Sequence, residues 1–451
     1  MKKATLISGA LFCSILAFAQ VTNPAITSWL QNTTQTGSHY VQNNYVPIQD
    51  AVPVNVQAVQ YSANWVYATT HGIPSYTTGP FLDGNPSQAS DQNAIYKFPL
   101  NPTQNTGNPT ATTPGNIGVF INGVSLFDYR DGVSWKNSTG AEAGGPLGGN
   151  GDGVWNRDAV VAERIGFDCA KGHPAMGNYH HHQNPSAFDL DIVPVSNICN
   201  LYDANGLYMI DSTQHSPLIG FAYDGFPIYG AYGYQNTNGT GPIVRMKSSY
   251  QLRNITVRDH YADGSSVTPG PPINSTYPLG RYREDYEYIA HPADPTYLDE
   301  HNGRWCVTPE YPNGTYAYFC TVDSNWNSAY PYVVGPTFYG NKVAVKVTSI
   351  TESTTTYTAP TGISANDFDA MSFGVYPNPA SDYIAVQVGA LVKDNITVTL
   401  YDMTGRKIEA SVITPGSTIA FIDTQTIYDG QYIIQIANGT NVRTSKVIVK
   451  H

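Results

Sequence analysis

The sequence predicts a mostly β protein, and three observations carry that prediction. Charged residues make up only 13% of the 451 residues, whereas Tyr (33), Gly (41) and Pro (31) are abundant. Aromatic residues favour strands, and Gly and Pro favour the turns between them. Short stretches of alternating apolar and polar residues also recur, as in the segment VPVNVQAVQYSANWVYATT. We therefore expect a large β-rich region followed by a small C-terminal β-sandwich.

Residues 1–19 have the pattern of a secretory signal peptide. Lys2 and Lys3 precede a short apolar run, and the small residues Ala17 and Ala19 mark a cleavage site, so the mature chain is expected to begin near Gln20. No later segment has the roughly 18 apolar residues that a membrane-spanning helix needs. We therefore expect an exported protein without a transmembrane segment.

Charge and motif content exclude several classes of function. The formal net charge is −11 with only 23 Lys and Arg, which gives no basic surface for nucleic acid. The Gly-rich segment at 148–153 lacks the strand and acidic residue of a dinucleotide fingerprint, so no nucleotide cofactor is expected. Sequence signatures of serine hydrolases, zinc proteases and P-loop proteins are absent as well.

The main β-rich region is predicted to span residues 20–347. Asn122-Gly123 lies between two apolar runs and predicts a tight hairpin turn. Residues 157–167 have helical spacing of charged and apolar residues and predict one short helix. A Ser/Thr-rich segment at 348–368 without apolar periodicity is interpreted as an exposed linker. Residues 369–451 contain several alternating strands at regular spacing, as in a small β-sandwich.

Four cysteines remain after removal of the signal peptide, and they allow three pairings in an oxidising compartment. Cys306 and Cys320 lie equally far from the turn residue Asn313 and are predicted to form a cross-strand disulfide. A second disulfide between Cys169 and Cys199 then follows by elimination.

The C-terminal region resembles the type A sorting domain of the type IX secretion system. The resemblance rests on four motifs that occur in the order of that family, namely YPNP at 376–379, YDMTGR at 401–406, GQY at 430–432 and KVIV at 446–449. It implies recognition by the type IX secretion machinery and a secreted or cell-surface location.

The segment GNYHHHQNP at 177–185 is the main candidate for chemistry. Side chains alternate along a strand, so His180 and His182 are expected to share one face while His181 points to the other. Two imidazoles at this spacing can bind one zinc or copper ion if further ligands join them. A hydrogen-bonded polar strand is the alternative.

Several residues are candidates for the missing ligands. We predict that His215 or Asp224 completes the site, although Asp224-Gly225 also has the composition of a simple turn. The other candidates are Asp168, Cys169, His173, Glu300 and His301.

Residues 115–340 resemble the family of YHYH-domain proteins. The resemblance rests on motifs at 172–174, 177–182, 215–217, 220–230 and 311–316, of which the run GFAYDGFPIYG at 220–230 is the most specific. Two positions depart from the family pattern. His181 stands where Tyr is common, and the segment TYAYF at 315–319 lacks the His residues that many members carry there. The family has no established activity, so the resemblance implies a domain and not a reaction.

These observations leave three classes of function. The prediction is an exported module that binds a transition metal through His180 and His182. A secreted metal-dependent enzyme, hydrolytic or oxidative, is the first alternative, since an open coordination position could activate water. A surface adhesin that binds glycans or another extracellular ligand is the second, because Tyr and Trp are suited to stacking.

Overall fold

The computed structural model describes residues 22–44, 46–83, 87–185, 210–358, 373–388, 392, 395–414, 417–438 and 441–451. Within these residues the chain is mostly β, which confirms the predicted fold class. In chain order, the first part contains α1 (Pro24–Thr27), β1 (Thr36–His39), β2 (Ile48–Pro53), β3 (Val56–Tyr61), β4 (Trp65–Thr70), β5 (Ala94–Pro99), β6 (Thr110–Ala111), β7 (Asn116–Phe120), β8 (Ser125–Phe127), β9 (Arg130–Lys136), β10 (Ala141–Gly144), β11 (Asn156–Asp158), α2 (Ala159–Ala162), β12 (Gly172–Ala175) and β13 (Asn178–His181).

The second part of the main region continues with strands that are mostly three to five residues long. They are β14 (Leu218–Ala222), β15 (Pro227–Tyr229), β16 (Tyr232–Tyr234), β17 (Ile243–Arg245), β18 (Tyr250–Leu252), β19 (Tyr286–Tyr288), β20 (Gly303–Cys306), β21 (Thr315–Phe319), β22 (Thr337–Phe338), β23 (Val345–Val347) and β24 (Thr355–Tyr357). Single 3-10 turns lie at Gly145–Leu147, Arg164–Gly166 and Arg283–Asp285.

Two sheets form the centre of the main region. An eight-stranded mixed sheet has the order β12-β13-β8-β7-β14-β15-β21-β20, and a five-stranded antiparallel sheet has the order β23-β5-β4-β3-β24. Their apolar side chains share one core, in which the Trp29 ring lies 5.7 Å from Phe98 and 5.5 Å from Phe221. Aromatic pairs of this kind add about 0.5–1.5 kcal/mol each to the free energy gained by burial. The core therefore fixes the eight-stranded sheet, on which the candidate site is built.

The end of the main region differs from the predicted domain boundary. β24 pairs with β3 along Thr355–Tyr357, so this part of the predicted linker at 348–368 belongs to the five-stranded sheet. Backbone pairing at a sheet edge explains why a Ser/Thr-rich segment without apolar periodicity is ordered here. Residues 359–368 of the predicted linker lie outside the described residues.

The C-terminal region forms a separate β unit. Its strands are β25 (Phe373–Tyr376), β26 (Tyr383–Val388), β27 (Ile396–Asp402), β28 (Lys407–Ile413), β29 (Ile419–Asp423), β30 (Gly430–Asn438) and β31 (Asn441–Val449). They form one sheet of order β25-β26-β29 and another of order β28-β27-β30-β31, and both contribute to one apolar core. Two sheets around one core agree with the predicted small β-sandwich.

The predicted hairpin turn was confirmed, whereas the predicted helix is shorter than expected. The turn at Asn122-Gly123 joins β7 to β8 as predicted, with Gly123 at a φ of 80°. The helix predicted at 157–167 is only the single turn α2, followed by a 3-10 turn. Among the described residues, no helix is long and apolar enough to cross a membrane.

The predicted disulfide between Cys306 and Cys320 is wrong, because both residues are free and buried. The hairpin of β20 and β21 places Cys306 opposite Thr315, five residues before Cys320. Five strand residues span roughly 16 Å, whereas the Cα atoms of a disulfide lie within about 7 Å. Cys169 is disulfide-bonded, but Cys199 lies outside the described residues, so their pairing stays a prediction.

Candidate metal centre

The hairpin of β12 and β13 carries the candidate site. Its turn consists of Met176 and Gly177, both at positive φ (49° and 85°), as a two-residue hairpin turn requires. The resulting register pairs His173 directly with His180 across the two strands. Side chains of directly opposed residues lie on the same face of a sheet, and His182 follows His180 by two residues. Three imidazoles therefore meet on one face.

The donor atoms of these imidazoles converge closely. The Nε2 atom of His182 lies 3.1 Å from that of His180 and 3.4 Å from that of His173. One ligand atom from each of the three buried residues can be chosen so that all lie within 4.8 Å of one another. Glu163 adds a carboxylate oxygen, since its Oε2 atom lies 3.3 Å from Nε2 of His182 and 3.4 Å from Nε2 of His173.

These separations match the edges of a tetrahedral coordination shell. A metal with bonds of about 2.0–2.1 Å to nitrogen and oxygen has tetrahedral ligand–ligand edges of about 3.3–3.4 Å, against about 2.9 Å for ligands at right angles. The four measured edges range from 3.1 to 3.4 Å and lie nearer the tetrahedral value. The donors of His173, His182 and Glu163 therefore form a triangle with the dimensions of one tetrahedral face, and Nε2 of His180 lies 3.1 Å from the His182 corner.

Backbone carbonyls determine which imidazole nitrogen is free to bind. The Nδ1 atom of His180 lies 2.8 Å from the carbonyl oxygen of Asn178, and that of His182 lies 2.5 Å from the carbonyl oxygen of Asp128. Because a carbonyl only accepts hydrogen bonds, each Nδ1 carries the proton and donates it. In the neutral ring, each Nε2 then bears a lone pair; the two atoms lie 3.1 Å apart, and the Glu163 carboxylate lies 3.3 Å from Nε2 of His182. These acceptors converge at a position where a cation or a shared proton can be bound.

The pKa values of Glu163 and His182 are also shifted in the directions that favour positive charge at this site. Burial acts to raise the pKa of Glu163, but hydrogen bonds and charge interactions with His182 and His173 outweigh it and lower this pKa to about 2. Burial acts to lower the pKa of His182, yet the hydrogen bond to Glu163 raises it overall. Burial and the two neighbouring imidazoles hold the pKa of His180 well below its usual range. The site thus stabilises positive charge beside Glu163 and keeps His180 neutral.

Glu163 reaches the site because α2 ends immediately before it. The Asp158 carboxylate caps the start of α2 by accepting hydrogen bonds from the backbone N–H groups of Val160 and Val161. Burial raises the pKa of Asp158 to about 7, although the hydroxyl of Tyr332 donates to it at 2.7 Å. A capped helical turn fixes the direction of the chain at Glu163 and therefore the position of its carboxylate.

Aromatic rings shield the imidazoles from water. Phe127 stacks on His180 at a centroid distance of 3.8 Å, and Phe167 contacts His173 edge-on at 4.9 Å. The three histidines are buried, whereas the side chain of Glu163 keeps 20% of its surface exposed. Low polarity around the donors strengthens their attraction for a cation.

The opposite face of β13 has a different role, as strand alternation predicted. His181 points away from the three imidazoles, and its Nε2 atom lies 2.8 Å from the hydroxyl of Tyr76. Burial lowers the pKa of His181 to about 3. Next to it, the Tyr179 hydroxyl donates to the carboxylate of Asp168, which also accepts three backbone hydrogen bonds. This face fixes the strand through buried hydrogen bonds.

The structure does not bring the other two predicted ligands to the imidazoles. Among the described residues, the candidate metal group contains His173, His180 and His182, without His215 or Asp224. Asp224 is buried in the turn between β14 and β15, where it accepts hydrogen bonds from the Tyr318 hydroxyl at 2.6 Å and from a backbone N–H at 2.8 Å. The alternative interpretation of Asp224-Gly225 as a turn describes this geometry.

His215 lies in a separate aromatic environment. Its ring contacts Tyr229 at a centroid distance of 5.2 Å, Tyr234 at 5.0 Å and Phe319 at 6.1 Å. Its Nδ1–H group donates to the carbonyl oxygen of Ser216 at 2.7 Å. Burial lowers the pKa of His215 to about 4.

Two donors of the site lie outside the predicted ligand set of His180, His182 and His215 or Asp224. His173 was one of several possible third ligands, and its pairing with His180 depends on the turn at 176–177. Glu163 was not a candidate at all, because no short motif connects it to the histidines. A capping Asp before a short apolar run, as at 158–162, is the local signal that places it at a helix end.

Comparison with known proteins gives the following relationships. The family model of the secretion system C-terminal sorting domain matches residues 374–450. This match indicates interaction with the type IX secretion machinery and a secreted or cell-surface location. No curated protein matches the chain significantly.

One solved structure with detectable similarity is that of dimeric latent PorU from Porphyromonas gingivalis. It is 19% identical, with a TM-score of 0.16, and the match covers 25% of this chain and 11% of PorU. Similarity of this extent bears on neither the fold nor the function. The model of the YHYH protein family, in contrast, matches residues 95–331 and includes all four donors described above. Since that match covers more than half of the sequence, the chain belongs to the YHYH protein family.

Proposed function

We propose that this exported protein binds one divalent transition metal ion through His173, His180, His182 and Glu163. The carrying observation is the convergence of lone pairs, because the backbone carbonyls direct Nε2 of His180 and His182 toward each other at 3.1 Å. A proton on one imidazole would supply a hydrogen bond to only some of the facing acceptor atoms. A metal ion would satisfy every donor at once.

The types of ligand and the distances between the ligand atoms favour zinc over copper. Three imidazoles and a carboxylate suit both ions, but zinc prefers a tetrahedral shell whereas Cu(II) prefers a square one. The measured separations of 3.1–3.4 Å support the tetrahedral arrangement. With Glu163 as the fourth ligand the shell is complete, as in structural and metal-capturing sites.

A metal-dependent enzyme remains the second candidate, and the partial exposure of Glu163 favours it. If the Glu163 carboxylate leaves the metal, water or a substrate could take the vacated position. In that arrangement Glu163 would accept a proton from metal-bound water. X-ray absorption spectroscopy separates the two candidates, since a shell of protein ligands alone favours metal capture and a bound water favours the enzyme.

Metal content measured by elemental analysis tests the proposal. The purified protein, reconstituted with zinc and dialysed, should contain about one equivalent. His173→Ala, His180→Ala and His182→Ala should each lose it, while His181→Ala, His215→Ala and the exposed control His291→Ala should retain it. Tryptophan fluorescence checks that each variant is folded. Equal metal content in folded wild type and triad variants would contradict the proposal.

A further inference from the structure

The eight-stranded sheet consists of two halves with the same architecture. The strand order is β12-β13-β8-β7-β14-β15-β21-β20. The first half has β7-β8 as its inner hairpin and β12-β13 as its outer hairpin. The second half has β14-β15 as its inner hairpin and β20-β21 as its outer hairpin. In each half the two hairpins are joined by one parallel pair of strands. This pair is β8 and β13 in the first half, and β15 and β21 in the second. The halves meet antiparallel where Val119 of β7 pairs with Phe221 of β14.

The pairing registers of the two halves are identical. A shift of 102 residues converts the Gly118–Leu126 and Val119–Ser125 pairs into Gly220–Ile228 and Phe221–Pro227. In the outer hairpins, every pair of β12 and β13 has its counterpart in β20 and β21. The corresponding pairs are Gly172–His181 with Gly303–Tyr318, His173–His180 with Arg304–Ala317, Pro174–Tyr179 with Trp305–Tyr316, and Ala175–Asn178 with Cys306–Thr315.

A hydrogen bond from a Tyr hydroxyl to an Asp carboxylate, called the Asp–Tyr clasp below, occurs in both outer hairpins and confirms their correspondence. In the first half, the Tyr179 hydroxyl donates to both oxygens of Asp168 at 3.0 and 2.8 Å. In the second half, the Tyr316 hydroxyl contacts both oxygens of Asp299 at 2.8 and 3.0 Å. Each carboxylate also accepts from the backbone N–H groups two and four residues later. The residue three positions after each Asp has a positive φ, 63° in one case and 68° in the other.

The glycine that follows each clasp is required by the approach of the tyrosine. A Cβ atom on Gly172 would lie 2.4 Å from the Tyr179 hydroxyl oxygen, and one on Gly303 would lie 2.4 Å from that of Tyr316. The same close contact in both halves is a property of the repeated unit, because it involves none of the metal donors.

The metal donors are the part that differs. The positions of His173, His180 and His182 correspond to Arg304, Ala317 and Phe319. The Arg304 guanidinium lies 5.6 Å from the Phe319 ring centroid, the same distance that separates the rings of His173 and His182. Its N–H groups donate to the backbone carbonyls of residues 234, 235 and 295. In the second half, a cationic side chain thus takes the place of a ligand.

From this correspondence we infer that the domain arose by duplication of one metal-binding unit. Its second half retains the strand arrangement and register of a second metal site, which is called the second frame below. This inference rests on the proposed function of the first half. His215 adds a donor to the second frame, because its Nδ1–H is engaged with the Ser216 carbonyl and its buried Nε2 faces Gly233 with no hydrogen-bond partner among the described residues. The natural protein accordingly binds one metal ion per chain, and the second half serves as a structural counterpart.

Restoring the ligands tests the inference. The full-length variant Arg304→His/Ala317→His/Phe319→His is reconstituted with zinc, dialysed and compared with wild type by elemental analysis. The expected result is one additional equivalent. The control variant Leu252→His/Val257→His/Val343→His adds three histidines at scattered exposed positions and should not differ from wild type.

The outcomes separate this inference from the proposed function. If wild type binds no zinc and the restored variant binds one equivalent, the proposed function fails and the duplicated frame stands. If the folded restored variant binds no more zinc than wild type, the inference is overturned. Should loss of the Arg304 hydrogen bonds prevent folding, the variant Ala317→His/Phe319→His is measured instead, with His215 as the third imidazole. Failure of that folded variant to exceed wild type also overturns the inference.

Discussion

Removal of the Tyr179 hydroxyl should destabilise the main region and should do so more at high pH. Tyr179 is fully buried, and its hydroxyl supplies one of four hydrogen-bond donors to Asp168. Tyr179→Phe keeps the ring, so no large cavity adds to the cost. Loss of a hydrogen bond to a charged group is expected to lower the free energy of unfolding by roughly 1.5–3 kcal/mol.

The pH dependence follows from the carboxyl group of Asp168. Burial raises the pKa of Asp168 from 3.8 to about 6, against the opposing effect of its hydrogen bonds. The folded protein therefore binds this proton more tightly than the unfolded chain. The stabilisation is fully present below about pH 4 and is lost as the pH rises through about 6, with a total on the order of 3 kcal/mol. Without the hydroxyl the pKa of Asp168 should rise further, because that hydrogen bond favours the charged form.

The deficit of Tyr179→Phe should accordingly be largest near pH 8 and fall to about 1 kcal/mol near pH 5, where the carboxyl is protonated. Urea unfolding followed by tryptophan fluorescence measures it, since all six Trp residues precede the sorting domain. A chelator in every sample removes the contribution of bound metal. Tyr316→Phe, the counterpart in the second half, should show a loss of similar size. A deficit below about 0.5 kcal/mol at pH 8, or one that grows toward pH 5, would refute this reasoning.

Three further predictions concern export, cysteines and metal affinity. A chain lacking residues 369–451 should accumulate in the periplasm of its host, as fractionation would show, and efficient release into the medium would contradict the assigned role of the sorting domain. A non-reducing digest should contain no peptide that joins Cys306 to Cys320, and both thiols should react with an alkylating reagent only after unfolding, because they are buried and free. Zinc affinity should fall as the pH drops below roughly 6.5, since protons compete for the imidazole nitrogens. Titrations from pH 8 to 5 measure this trend, and affinity that is constant over the range would contradict imidazole ligation.

The sequence predicted those features of the site that depend on local geometry. Alternation along a strand is enough to place His180 and His182 on one face and His181 on the other. Pairing of His173 with His180 required the hairpin register, and the turn residues Met176 and Gly177 are not a strong turn signal. Glu163 required the path of the chain after α2, which tertiary packing determines. The accuracy of the prediction therefore decreased as the contacts became less local.

Both main errors came from contacts that the sequence does not fix. The disulfide prediction assumed a hairpin centred on Asn313, but the loop between β20 and β21 spans residues 307–314 and its register is centred earlier. The prediction that His215 or Asp224 joins the imidazoles assumed that positions within the motifs shared with the YHYH family converge on one site. Asp224 instead lies in the turn between β14 and β15, and His215 lies before β14 among the rings of Tyr229, Tyr234 and Phe319.

The two halves also separate what the fold needs from what the chemistry needs. Both keep the Asp–Tyr clasp and the adjacent Gly, although only one carries three imidazoles. The outer hairpin of the second half therefore has the same register without three imidazoles, and the ligand positions tolerate Arg, Ala and Phe in the same backbone. It follows that His173, His180 and His182 are not required to build their hairpin. Their placement on one face, with the Nε2 atoms of His180 and His182 directed inward by backbone carbonyls, supports the proposed cation binding.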